Sequence, residues 1–79
     1  MNNTFSRTIK GHDLQFNRYL YPVRYTIKID EPDSDGKQYE LQKETTGWKL
    51  LDMQGYPDWL DDISVEINTA IEENESNLL

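Results

Sequence analysis

The stretch Val23-Arg24-Tyr25-Thr26-Ile27-Lys28-Ile29-Asp30 decides the fold. Val23, Tyr25, Ile27 and Ile29 share one parity, while Arg24, Thr26, Lys28 and Asp30 take the other. Successive side chains of a strand point to opposite faces, so this run reads as a strand with one apolar and one polar face. An apolar face of that kind must be covered by another layer.

Downstream, Glu31-Pro32-Asp33-Ser34-Asp35-Gly36 is dense in turn formers, and its Asp-Gly pair suits positive φ. Residues 38–44 then return with Tyr39 and Leu41 on the core parity. After Thr45-Thr46-Gly47, residues 48–53 form a further strand with Trp48 and Leu50 inward. Upstream, Pro22 cannot donate to a ladder and marks an edge, a bulge or a break. Residues 14–21 alternate, with Leu14, Phe16 and Leu20 opposite Gln15, Asn17, Tyr19 and Tyr21. Residues 4–10 alternate too, with Phe5, Arg7 and Ile9 on one side, and Gly11-His12-Asp13 reads as the turn between these two segments. They form two strands or one irregular element. Short loops throughout imply antiparallel neighbours in a meander.

Gly55-Tyr56-Pro57-Asp58 closes the sheet and opens a helix, with Pro57, Asp58 and Asp61 as start signals. At about 100° per residue, Trp59, Leu60, Ile63, Ile67, Ala70 and Ile71 make one apolar stripe. The helix is expected over 58–74, with Val65 exposed opposite the stripe. Glu72, Glu73 and Glu75 suit a helix C-terminus badly, so the tail 75–79 is expected to fray. The expectation is one small α+β domain over residues 1–79. A three- or four-stranded antiparallel meander, with strands at 4–10, 14–21, 23–30, 38–44 and 48–53, carries one C-terminal helix packed across one face, in two layers. The expected core is Phe5, Ile9, Phe16, Val23, Tyr25, Ile27, Ile29, Tyr39, Leu41, Trp48, Leu50, Trp59, Leu60, Ile63, Ile67 and Ile71.

The formal net charge of −7 is unevenly spread over the 79 residues. Residues 1–54 balance all eight basic residues against eight acids, whereas residues 55–79 carry Asp58, Asp61, Asp62, Glu66, Glu72, Glu73 and Glu75 without a Lys or Arg. The first 29 residues are basic, with Arg7, Lys10, Arg18, Arg24 and Lys28 against Asp13 alone. Such a split bears on partners rather than on fold. With no cysteine, disulfides, thiolate nucleophiles, zinc knuckles and iron–sulfur centres are excluded. His12 is the only histidine, which rules out a His-rich metal site, and no cofactor is expected. No apolar run approaches the ~20 residues of a membrane-spanning helix. Met1-Asn2-Asn3-Thr4 lacks the layout of a signal peptide, so a soluble, cytoplasmic, bacterial protein is expected. On that reading, the glycosylation patterns at Asn2 and Asn74 are composition only.

Few residue patterns suggest chemistry. The loop 31–36 opens like a calcium loop, but Gln38 and Gln42 stand where an apolar residue and a bidentate Glu belong. It reads as a solvated turn. His12-Asp13 could orient an imidazole, yet Ser6, Ser34, Ser64 and Ser76 lie in no nucleophile motif. Asp58, Asp61 and Asp62 sit where a helix N-terminus favours their charged forms, the reverse of a general acid. The expectation is a non-catalytic protein-interaction module that binds another protein or a second copy of itself, without metal or membrane.

Two surfaces are candidates for that contact. The outer sheet face interleaves Tyr and cations, with Tyr19, Tyr21, Arg24 and Lys28 as contacts and Lys10 and Lys49 beside them. Single-stranded nucleic acid on that face is the alternative. The second surface is an acidic patch of Asp61, Asp62, Glu66, Glu72 and Glu73. It serves solubility, or it engages a basic partner as an acidic inhibitor does.

Overall fold

The computed structural model describes residues 3–32, 34, 36–51 and 54–78. Five strands run in sequence order, β1 (Asn3–Ile9), β2 (His12–Tyr19), β3 (Arg24–Ile29), β4 (Gln38–Glu44) and β5 (Gly47–Leu50). Each pairs antiparallel with its chain neighbour, giving the sheet order β1-β2-β3-β4-β5. Two helical segments, α1 (Trp59–Asp62) and α2 (Ser64–Asn77), follow and cover one face. The class is α+β in two layers, with five strands rather than three or four.

The fifth strand exists because β1 and β2 are joined by a two-residue turn. Lys10 and Gly11 have φ of 50° and 82°, and a tight hairpin whose twist matches its strands needs positive φ at both central residues. The expected turn at Gly11-His12-Asp13 therefore moves back, Ile9 faces His12, and His12 belongs to β2. Pro22 breaks the next segment instead of passing through it. Residues 20–23 form a turn with a cis Tyr21–Pro22 bond, and β3 starts at Arg24 opposite Tyr19. Val23, expected in the core, is thereby left exposed.

The register aligns one apolar row per strand. Phe5, Phe16 and Ile27 lie across from one another, as do Tyr25, Leu41 and Leu50. Phe5 stacks on Phe16 at 4.8 Å, and Tyr25 meets Trp48 edge-on at 4.9 Å. Leu60, Ile63, Ile67, Ala70 and Ile71 close over them from the helices. Leu14, which the expected core omitted, is fully buried, while Phe5, Ile29 and Trp59 are packed only partly against it.

β5 is shorter than expected: its last ladder pair is Leu50 with Leu41, and Asp52 and Met53 lie outside the described residues. Gln54 takes over where β5 stops. Its carboxamide accepts from the Glu40 N–H at 2.7 Å and donates to the Glu40 and Leu51 carbonyls at 3.0 and 2.7 Å. The helix, in turn, is interrupted at Ile63 (φ −107°, ψ 20°) and continues to Asn77, past the expected end at 74.

Acids near that end persist because the sheet holds them. Arg18 Nε donates to Glu75 Oε2 at 2.6 Å, and the Tyr25 hydroxyl donates to the same oxygen at 2.5 Å. Asn74 donates to Asn3 Oδ1 and to the Tyr25 hydroxyl. The part-buried Arg18–Glu75 ion pair offsets the unfavourable end of the helix dipole, and the helical backbone runs on to Asn77. Leu79 lies outside the described residues.

Candidate functional site

The outer sheet face carries the residues that alternate with the core row. Tyr19 and Arg24 are direct cross-strand partners, with the guanidinium 5.3 Å from the ring centre. Lys28 lies between Gln15 and Gln38, and Lys49 opposite Gln42. Tyr21 belongs to the turn beyond the strands, 94% exposed and with φ of 64°. Lys10 does not belong to this face at all. Set in the β1–β2 turn, it places its ammonium 3.8 Å from Glu66 of α2. The structure thus brings Tyr19 and Arg24 together, sets Tyr21 beside them, and separates Lys10.

Polar side chains bind one another across this face. Thr4 donates to Asn17, Asn17 to Thr26, and Thr26 to Gln38, which also accepts from Tyr19. Arg24 approaches Glu40 at 3.9 Å. Three acids on the face (Asp13, Glu40 and Glu44) offset three bases (Arg24, Lys28 and Lys49). The centre of the face is thus cross-linked by its own side chains, and its formal charges balance.

His12 and Asp13 part company because adjacent strand residues face opposite ways. Asp13 takes the Thr8 hydroxyl on the outer face. His12 Nδ1 lies 3.1 Å from Glu31 Oε1, and its ring stacks on Trp59 at 3.7 Å. A cleft of about 450 Å³ adjoins them, lined by Glu31, Ser34 and Trp59 among others. Asp33 and Asp35 of the calcium-like loop lie outside the described residues. Among the described residues no cluster of three or more His, Asp or Glu side chains could hold a metal ion. None of the described helices is long and apolar enough to cross a membrane.

The acidic patch divides between the two flanks of α2. Glu66 faces Lys10 on the β1 side. Asp61, Glu72 and Glu73 line the other flank, where a groove of about 970 Å³ runs between α2 and the β5 edge. Asp62 is exposed and lines neither this groove nor the His12 cleft. Leu41, Trp48, Leu50 and Ile67, core side chains that are nearly buried, form the base of the groove, Val65 stands exposed on its wall, and Lys49 is its one basic lining residue. Val65 is 73% exposed although it stands on a packed helix.

One residue of α2 seals part of the β5 edge. Asn68 Oδ1 accepts from the Trp48 N–H at 2.5 Å, and Asn68 Nδ2 donates to the Trp48 carbonyl at 2.8 Å. The two bonds occupy outward-facing backbone groups that would otherwise recruit another strand. Gly47 makes room: a Cβ there would fall 2.5 Å from Asn68 Oδ1, and its φ of 132° disfavours any side chain. The indole of Trp48 is less well served. Its residue is only 4% exposed, yet Nε1 has no hydrogen-bond acceptor among the described residues. Buried indole N–H groups ordinarily find one.

Charge at the far end of α2 is tuned by packing. Burial, then the bond it donates to Glu75, pushes the Tyr25 hydroxyl up to about 12. Burial opposes ionisation of Glu75, but bonds from Arg18 and Tyr25 outweigh it and hold the carboxyl below its ordinary value. This cluster is internally complete.

Reasoning from sequence missed the groove and this ion pair. Arg18 shares the parity of Leu14 and Phe16, and a cation in the apolar phase of a strand signals an inward acidic partner. The groove had one faint signal, an apolar Val65 off the helix stripe. No protein-family model, curated protein or solved structure matches this chain.

Proposed function

We propose that the chain is a non-catalytic protein-binding module whose contact surface is the groove between α2 and the edge strand β5. The observation that carries this reading is a concave, largely apolar surface of about 970 Å³ with a 73%-exposed Val65 on its wall. Grooves lined by apolar side chains beside a sheet edge are a recurrent way of seating a polypeptide. The outer face, with Tyr19, Tyr21, Arg24 and Lys28, is the weaker candidate for protein contact, because Tyr19 and Arg24 are engaged by Gln38 and Glu40 and, among the described residues, the face has no concavity to seat a guest. Single-stranded nucleic acid on that face finds no excess of cations to neutralise phosphates.

Photo-crosslinking tests the choice of surface. A crosslinker at position 65 is expected to yield adducts in cells that Val65→Asp chains cannot compete away, while one at position 28 yields none. Adducts at position 28 alone would return the contact to the outer face.

A further inference from the structure

The groove's walls specify more than an apolar guest. Its lip carries Asp61, Glu72 and Glu73, while the side chain of Lys49 stands on the outer-face parity of β5. The other acids of α2 that meet the sheet are answered, Glu66 by Lys10 and Glu75 by Arg18. The acids on this flank have no basic partner among the described residues. Trp48, in the wall, holds a buried indole N–H without an acceptor. That N–H is enclosed by the protein, so Trp48 marks the groove wall by its packing and not by its hydrogen-bonding capacity.

Resting on the groove reading above, we infer that the guest is a basic polypeptide segment with a large apolar side chain. The apolar side chain seats between Trp48 and Val65. Flanking lysines or arginines face Glu72, Glu73 and Asp61. A second copy seated groove to groove would set the same acids against each other, and a nucleic acid would bring more negative charge; the potential opposes both.

The probe is an acetylated, amidated octapeptide of alternating lysine and leucine, titrated into the intact chain. Its controls are the glutamate–leucine counterpart and oligothymidylate. The readouts are affinity and the Trp48 indole proton resonance, assigned by comparison with Trp59→Phe. Saturable binding of the lysine peptide alone is expected, with the indole resonance shifting as the guest packs beside the ring. Val65→Asp, or Glu72→Lys with Glu73→Lys, should weaken binding ten-fold or more. Glu44→Lys, the same kind of charge change on the outer face, should alter it less than two-fold. Equal weakening by Glu44→Lys, equal binding of the glutamate peptide, a resonance that does not move, or a resonance that oligothymidylate moves would each overturn the inference. If neither peptide binds while position 65 still crosslinks, the basic guest is wrong and the groove reading survives. If both fail, both fall.

Discussion

Helix α2 meets the sheet on two flanks that share a backbone and differ in how their charges end. Toward β1 and β2 it is stapled: Lys10 faces Glu66, Arg18 and Tyr25 clasp Glu75, and Asn74 holds Asn3. Toward β5 it is fastened by the amide of Asn68 and otherwise leaves a groove whose acids meet no base among the described residues, Asp61 accepting only from the Tyr56 hydroxyl. Two of the carboxylates of this acidic helix meet bases, while its apolar stripe of Ile67, Ala70 and Ile71 packs on the sheet. The acids that do not meet bases collect on the other side. On the proposed function, that asymmetry separates what holds the domain together from what is available for contact.

The contrast is sharpest between two apolar residues of one helix. Ile67 is 1% exposed and Val65 73%. Ile67→Ala should cost about 2–5 kcal/mol in urea unfolding, because it leaves a cavity under the helix. Val65→Ala should change stability by less than ~0.5 kcal/mol. Comparable losses would mean that the groove wall is part of the core.

The next pair compares carboxylates. Glu75→Gln removes charge from a half-buried acceptor of two bonds and should cost about 1.5–3 kcal/mol. Glu72→Gln should be neutral within ~0.5 kcal/mol. Equal effects would dissolve the distinction between the flanks.

Much of the fold was legible before any coordinates, and the reasons are local. Period-two alternation from Val23 to Asp30 set which side of β3 is dry, and Tyr25 and Ile27 are fully buried while Arg24 and Lys28 face the opposite side. The helix stripe of Leu60, Ile63, Ile67 and Ile71 packed as its spacing required. Errors arose where one residue changes the geometry of its neighbours. Lys10-Gly11 took the tight turn, which moved Lys10 off the outer face and His12 into a strand. Val23 lost its place in the core because Pro22 ended the strand. The helix end was misjudged because dipole reasoning is local, and the partner of Glu75 is 57 positions away at Arg18. The groove is a tertiary feature: no single segment contains both of its walls.

Acidity should probe the stapled flank alone. The native carboxyl of Glu75 is held below its unfolded value, so its contribution is present above that unfolded value and lost as the pH falls through the native one. Unfolding followed against pH should steepen in this acid range for the parent chain and flatten in Glu75→Gln. At the alkaline end the sign reverses. Tyr25 is raised to about 12, so its contribution is complete below the ordinary value of 10.0 and disappears as the pH climbs toward 12. Tyr25→Phe should lack that alkaline decline.

The smallest effect belongs to the fastening on the open flank. Asn68→Ala frees the Trp48 backbone groups and should cost about 1 kcal/mol, the net worth of ordinary hydrogen bonds. It also uncovers the β5 edge, and concentration-dependent association in sedimentation should follow. A variant that loses stability but stays monomeric at every concentration would show that the edge needs no cover.

Gln54 has a consequence for how so short a chain completes its architecture. By imitating a peptide unit beside Glu40, one side chain stands in for the strand that would otherwise have to continue. The backbone is released from the ladder after Leu50, and Gly55–Asp58 lead into the helical layer. A protein of 79 residues thereby closes its second layer without lengthening its first.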